Sequence, residues 1–165
     1  MTDFFDRTKE KQYIIWGAGV GALFRIYSIN PETVKSIYER TKYIEIINKA
    51  LSDKNGFVSF MESPEQSSHI SAYGDKLVEC AKLDDFVEYN ITFIKLDIEG
   101  SEIAAISGGS TLIGHYAPKL AVCVYHKPQD IWEVPILLHK INQNYKFYLR
   151  HHGPICIGTV LYATM

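Results

Sequence analysis

The chain has 165 residues, 47% of them hydrophobic and 22% charged, with a formal net charge of −2 and a pI of about 6.3. That balance supports one folded domain with a sizeable core and argues against a nucleic-acid surface or an anionic membrane partner. No run approaches the roughly 20 apolar residues that span a bilayer, and the first residues lack the apolar core of a signal peptide, so a cytoplasmic protein with no integral membrane segment is expected.

In chain order, residues 12–16 (Gln-Tyr-Ile-Ile-Trp) predict a short strand that runs into Gly17-Ala18-Gly19-Val20-Gly21. Closely spaced glycines after a strand let backbone approach a nucleotide-like cofactor. Residues 21–29 are read as a helix, the alternative being a strand whose preceding crossover helix is missing. Asn30 and Pro31 then cap and open a helix with Val34, Ile37 and Tyr38 on its apolar face. Residues 43–48 predict a strand, and the second half of 49–56 a turn. Residues 57–61 form the next strand in a hairpin-like excursion, 62–74 a polar surface loop, 77–81 a strand and 82–87 a short helical turn.

Residues 91–102 (Ile-Thr-Phe-Ile-Lys-Leu-Asp-Ile-Glu-Gly-Ser-Glu) read as a buried strand that ends in an acid-rich turn. Strand alternation is expected to project Asp97 and Glu99 from the same side of the strand end. In open parallel sheets ligands sit at the carboxyl ends of strands, so this pair is a candidate chemical centre. Glu102 reads instead as an acid suited to a helix N-terminus. A helix broken near Gly108-Gly109 follows. Residues 119–125 are a second apolar strand, ending in His126-Lys127-Pro128. Residues 129–142 are amphipathic, with Ile131, Val134, Leu137, Leu138 and Ile141 at helical spacing. Residues 145–149 predict a strand, 150–154 a turn that includes His151 and His152, and 155–163 a last strand. The short connection makes these last two strands antiparallel. The fold class expected is therefore α/β, with a mostly parallel sheet closed by an antiparallel C-terminal strand pair.

Cys80, Cys123 and Cys156 are far apart and odd in number, and no metal-ligand spacing is present, so buried free thiols and no metal site are expected from spacing alone. At the strand ends, Asp97, Glu99 and His126 are the candidate catalytic residues. His126 is the better general base at neutral pH. Asp97 would orient substrate or share a divalent metal with Glu99, an option left open rather than predicted.

The series Ala50-Leu51-Ser52-Asp53, Leu83-Asp84-Asp85-Phe86-Val87, Ile94-Lys95-Leu96-Asp97-Ile98-Glu99-Gly100-Ser101-Glu102, Tyr125-His126-Lys127, Tyr148-Leu149-Arg150-His151-His152 and Thr159-Val160-Leu161-Tyr162-Ala163 resembles the FkbM family of methyltransferases. The resemblance runs over residues 25–163 and leaves 1–24 as an atypical segment with a glycine loop, within one 165-residue domain. It implies a Rossmann-like fold, S-adenosylmethionine as cofactor, and O-methylation of a hydroxyl on a sugar, glycolipid or secondary metabolite. On the cofactor side it places Asn30, Ser52 and Asp53, to which the glycine pattern adds Gly17, Gly19 and Gly21. Two departures stand out. Asn30 occupies the place of the family's ribose-binding Glu, and the helix between glycine loop and second strand is absent, so the N-terminal part is shortened. A catalytically impaired remnant is thus one alternative. Another is a dinucleotide-binding domain with Glu39 or Glu45 as the ribose acid. A sheet shortened at one edge would favour a homo-oligomer.

Overall fold

The computed structural model describes residues 12–17 (backbone), 49–61, 69–87, 91–154 and 157–165. Strands are present where the sequence predicts them near 12–16, 57–61, 77–81, 91–97, 119–125, 145–149 and 155–163. The strands among the described residues are β1 (Gln12–Gly17), β2 (Ala50–Leu51), β3 (Gly56–Met61), β4 (His69–Ile70), β5 (Lys76–Ala81), β6 (Ile91–Asp97), β7 (Lys119–Cys123), β8 (Lys146–His151) and β9 (Thr159–Thr164). The helices among the described residues are α1 (Glu102–Ser107), α2 (Ser110–Tyr116) and α3 (Asp130–Ile141). A 3₁₀ turn, Leu83–Phe86, precedes β6. The readings made for residues 21–29, for the helix after Asn30 and for the strand at 43–48 lie outside the described residues.

One sheet has the order β1-β6-β7-β9-β8, the other β2-β5-β3-β4. In the first, β1, β6 and β7 run parallel, while β9 pairs antiparallel with both β7 and β8. In the second, only β2 and β5 pair in parallel. The expectation of a mostly parallel sheet is corrected to two mixed sheets. The reason is the excursion between β2 and β5. Within it β3 pairs antiparallel with both β4 and β5, while β5 lies between β3 and β2 and is parallel to β2.

Burial explains which strands are central. β6 buries Ile91, Phe93, Ile94 and Leu96, and β7 buries Leu120, Ala121, Val122 and Cys123, so both faces of each are covered. β9 alternates, with Leu161 and Ala163 inside. β8 is an edge strand, mostly exposed. One apolar cluster joins Leu51 of the smaller sheet to Ile94, Leu96, Leu120 and Val122 of the larger, with Ile106, Leu112, Val134 and Leu138 from the three helices. Several local expectations change. Arg150 and His151 extend β8 instead of turning, because an edge strand accepts polar side chains. Ile157 and Gly158 precede β9, with Gly158 at φ 113°. His69–Ile70 forms a short strand within the predicted loop. Ile131, expected on the apolar face of α3, is exposed, whereas Val134 and Leu138 are fully buried.

The break between α1 and α2 falls at Gly108-Gly109, as the sequence suggests. A Cβ on Gly108 would stand 2.2 Å from the Ser52 carbonyl oxygen, so the helix joint packs directly on the chain leaving β2. α2 ends on Ala117 in the left-handed region, followed by Pro118, a common helix stop.

Candidate active site

The site grows from the carboxyl end of β6. Parallel pairing sets Gly17, the last residue of β1, beside Asp97, the last residue of β6. β7 ends next to them, and the chain continues through Tyr125 and His126. Three neighbouring strands thus deliver their ends to one edge, which is where such sheets place their ligands.

After Asp97 the chain reverses tightly. Glu99 has φ 53° and Gly100 φ 91°, and the Ser101 N–H donates to the Ile98 carbonyl at 3.2 Å. Two successive left-handed residues closed by that bond describe a type I′ turn. Glycine meets the demand at 100 without strain. Glutamate does not, and a non-glycine residue held there costs on the order of 1 kcal/mol. The turn, rather than strand alternation, is therefore what brings Glu99 round to Asp97. A Cβ on Gly100 would also lie 2.9 Å from Cε of Lys127, whose ammonium donates to the Gly100 carbonyl.

His126 is the hub. Its side chain is 8% exposed. Nδ1 lies 3.0 Å from Oε1 of Glu102, and that same oxygen accepts the Ile98 N–H at 3.0 Å. An oxygen already accepting a backbone N–H is an acceptor for the ring too, so Nδ1 carries the proton. Glu102 is fully buried and fixes both the turn and the imidazole plane. Nε2 then points at the two other acids, 3.2 Å from Glu99 Oε2 and 3.6 Å from Asp97 Oδ1. These separations suit an ion pair, yet their alignment makes no hydrogen bond, and Nε2 is buried without a hydrogen-bond partner.

Asp97 also meets Lys95 and Tyr125. Lys95, two residues back on the same face of β6, puts its ammonium 3.2 Å from Oδ2, and the Tyr125 hydroxyl donates to Oδ1 at 3.0 Å. Burial works against the Asp97 carboxylate, but Lys95 and the Tyr125 hydrogen bond outweigh it and hold its pKa below the usual range. Burial likewise opposes the His126 imidazolium, and the Glu102 hydrogen bond together with the charges of Glu102, Glu99 and Asp97 pushes its pKa up. Burial and the adjacent Asp97 push the Cys123 thiol up to about 12 and raise the Tyr125 phenol. Asp130, 1% exposed at the start of α3, is raised by burial and by Glu102.

Asp97, Glu99 and His126 are thus brought together, as their residue types and strand-end positions suggested. Ser52 and Asp53 lie elsewhere, at the end of β2 in the smaller sheet. Ser52 is buried, its hydroxyl 3.1 Å from Asp53 Oδ1 and its N–H on the Ala81 carbonyl. Gly19, Gly21 and Asn30 lie outside the described residues. Glu102 opens α1 as expected of a helix-terminus acid, but it is buried against His126, which the sequence did not suggest, and Lys95, Tyr125 and Asp130 were given no role. For Lys95 the signal was available, because residues two apart on a strand share a face. For Glu102 nothing local marks it, since its partner is 24 residues away.

A sheet of this kind, with a glycine-ended strand beside acid- and imidazole-bearing strand ends, defines an α/β protein with a cluster of ionisable groups at its carboxyl edge. The comparisons make the class specific. Residues 18–153 match the family model described as the methyltransferase FkbM domain, and the chain belongs to that family. The crystal structure of methyltransferase FkbM from Methylobacillus flagellatus KT superimposes with a TM-score of 0.70 at 26% identity, over 93% of this chain and 36% of that one. The chain therefore spans little more than a third of that protein's length. No curated protein matches the chain. Among the described residues no helix is long and apolar enough to cross a membrane.

Proposed function

We propose that this chain is a single-domain, cytoplasmic, S-adenosylmethionine-dependent methyltransferase acting on a hydroxyl of a sugar, glycolipid or secondary metabolite. Asp97, Glu99 and His126 form its acceptor side. The observation that carries the reading is the imidazole of His126, pinned at Nδ1 by a buried carboxylate and turned so that Nε2 faces two acids at the strand ends. A surface histidine serving only as a cap has no need of that support.

The residues suit a sulfonium cofactor on electrostatic grounds. The pair Asp97 and Glu99, with Asp97 held ionised, makes the strand edge anionic, which favours a cationic ligand. Gly17 lies in register beside Asp97, where backbone can approach a ligand. When bound, S-adenosylmethionine supplies an electrophilic methyl group. The chain's own part is positional and electrostatic. Glu102 fixes the imidazole, the turn at Glu99-Gly100 fixes the second acid, and the cluster holds the acceptor hydroxyl and draws off its proton. Ser52 belongs to the cofactor side only by family resemblance.

Incubating the chain with methyl-labelled S-adenosylmethionine and a panel of hydroxyl compounds tests the reading. Release of S-adenosylhomocysteine together with labelled acceptor is expected, and His126→Ala should abolish both. Bound cofactor with no transfer to any acceptor, in a folded chain, would support the impaired-remnant alternative instead.

A further inference from the structure

One ring nitrogen of His126 is not used by its hydrogen bonds. Nδ1 is tied to Glu102, and Nε2 faces the carboxylates of Asp97 and Glu99 at 3.6 and 3.2 Å. Nε2 is buried, lacks a hydrogen-bond partner and sits on a side chain only 8% exposed. A ring nitrogen and two carboxylates converging in this way suit a bound cation.

We propose that Asp97, Glu99 and His126 form a binding site for one divalent transition-metal ion. One ligand atom from each of the three lies within 4.8 Å of the others. The Nε2 separations of 3.2 and 3.6 Å from the two oxygens bracket the edge of a tetrahedral shell at zinc-like distances, about 3.4 Å, and the first is near the about 3.0 Å edge of an octahedral one. The supporting arrangement matches what metal-bound histidines need. The far ring nitrogen donates to a carboxylate, Glu102, that is itself anchored by the Ile98 N–H. Tyr125 donates to Oδ1 of Asp97 and Lys95 pairs with Oδ2, which fixes the orientation of that carboxylate. Two of the three groups are carboxylates, so the face they form is acidic, as a cation site requires. The mixed imidazole and carboxylate donors favour Mn²⁺, Fe²⁺ or Zn²⁺ over Ca²⁺ or Mg²⁺.

The site goes beyond methyl transfer and stands without it. Where the hydroxyl-methylation reading also holds, the ion changes the role of His126 from proton acceptor to ligand.

The test is a titration of the metal-free 165-residue chain with Co²⁺, followed by visible absorption, and with Mn²⁺, followed by electron paramagnetic resonance. One saturable site is expected. His126→Gln and Glu99→Gln should each weaken it by at least about tenfold, whereas Glu133→Gln, on the exposed side of α3, should leave it unchanged. Glu99 is part-exposed in a turn, so its variant keeps the fold, which circular dichroism confirms separately. Failure to saturate at about 1 mM ion, or equal affinity in both ligand variants and the parent, overturns the proposal. Calorimetry with S-adenosylhomocysteine on the same metal-free sample separates the two readings. Cofactor binding without metal binding removes the metal site alone, and metal binding without cofactor binding removes the methyltransferase reading alone.

Discussion

Glu102 is where the fold and the site meet, and its removal has a calculable cost. In Glu102→Ala the Ile98 N–H and the His126 Nδ1–H both lose their acceptor in a fully buried setting. Each orphaned donor costs about 1–3 kcal/mol. Part of that is returned, because the carboxylate itself is buried and its Oε2 has no hydrogen-bond partner. The expected net loss is about 3 kcal/mol of unfolding free energy. Glu102→Gln keeps an acceptor oxygen and the side-chain volume while giving up the charge, so its cost should be about 1–2 kcal/mol. Urea unfolding of the two variants beside the parent measures both values, with unchanged slopes needed for the comparison. A Glu102→Ala chain that unfolds within about 0.5 kcal/mol of the parent would refute the reasoning, since the carboxylate could then not be what holds the turn and the imidazole.

Gly108, at the joint between α1 and α2, and Gly114, inside α2, should respond in opposite directions. Gly108→Ala sets a methyl 2.2 Å from the Ser52 carbonyl, and overpacking against backbone should cost about 1–3 kcal/mol. Gly114→Ala lies within α2 with Ile141 Cγ2 at an ordinary 3.6 Å, and should stabilise by about 0.5–1 kcal/mol; thermal unfolding of the pair checks the sign of each. Tyr125→Phe removes the hydroxyl from Asp97 Oδ1 and should cost about 1 kcal/mol, read from the same urea curves. Cys123, with its thiol pushed to about 12, and Cys80, also raised by burial, should resist iodoacetamide at mildly alkaline pH until the chain unfolds. Peptide mass spectrometry that finds Cys123 alkylated in the folded protein would contradict its placement.

The parts of the fold that sequence made legible are those governed by burial. β6 and β7 are covered on both faces, so their side chains form near-continuous apolar runs that stand out from their surroundings. The antiparallel closing pair followed from connection length alone. Edge elements were harder. Arg150 and His151 look like turn residues, because the apolar run of β8 stops at Leu149 and the exposed end of an edge strand needs no apolar side chain. The two-sheet arrangement was hidden because β2 and β4 are two residues long each, too short to show a period.

The site was half legible for a related reason. Strand ends are visible from where apolar runs stop, so Asp97 and His126 could be placed at one edge. Glu99 was placed correctly by an argument that does not apply to it, since β6 ends at Asp97 and the left-handed turn aims the acid. Glu102 could not be found by local rules. A helix-start acid facing solvent and one buried against an imidazole have the same local sequence, and only the tertiary fold distinguishes them.

Calorimetric titration of S-adenosylhomocysteine into the 165-residue chain is the most direct check on the central claim. Saturable binding at one site per chain, with a matching rise in thermal midpoint, is the expected result. No binding heat and no change in thermal midpoint, in a chain shown to be folded, would contradict a S-adenosylmethionine-dependent methyltransferase.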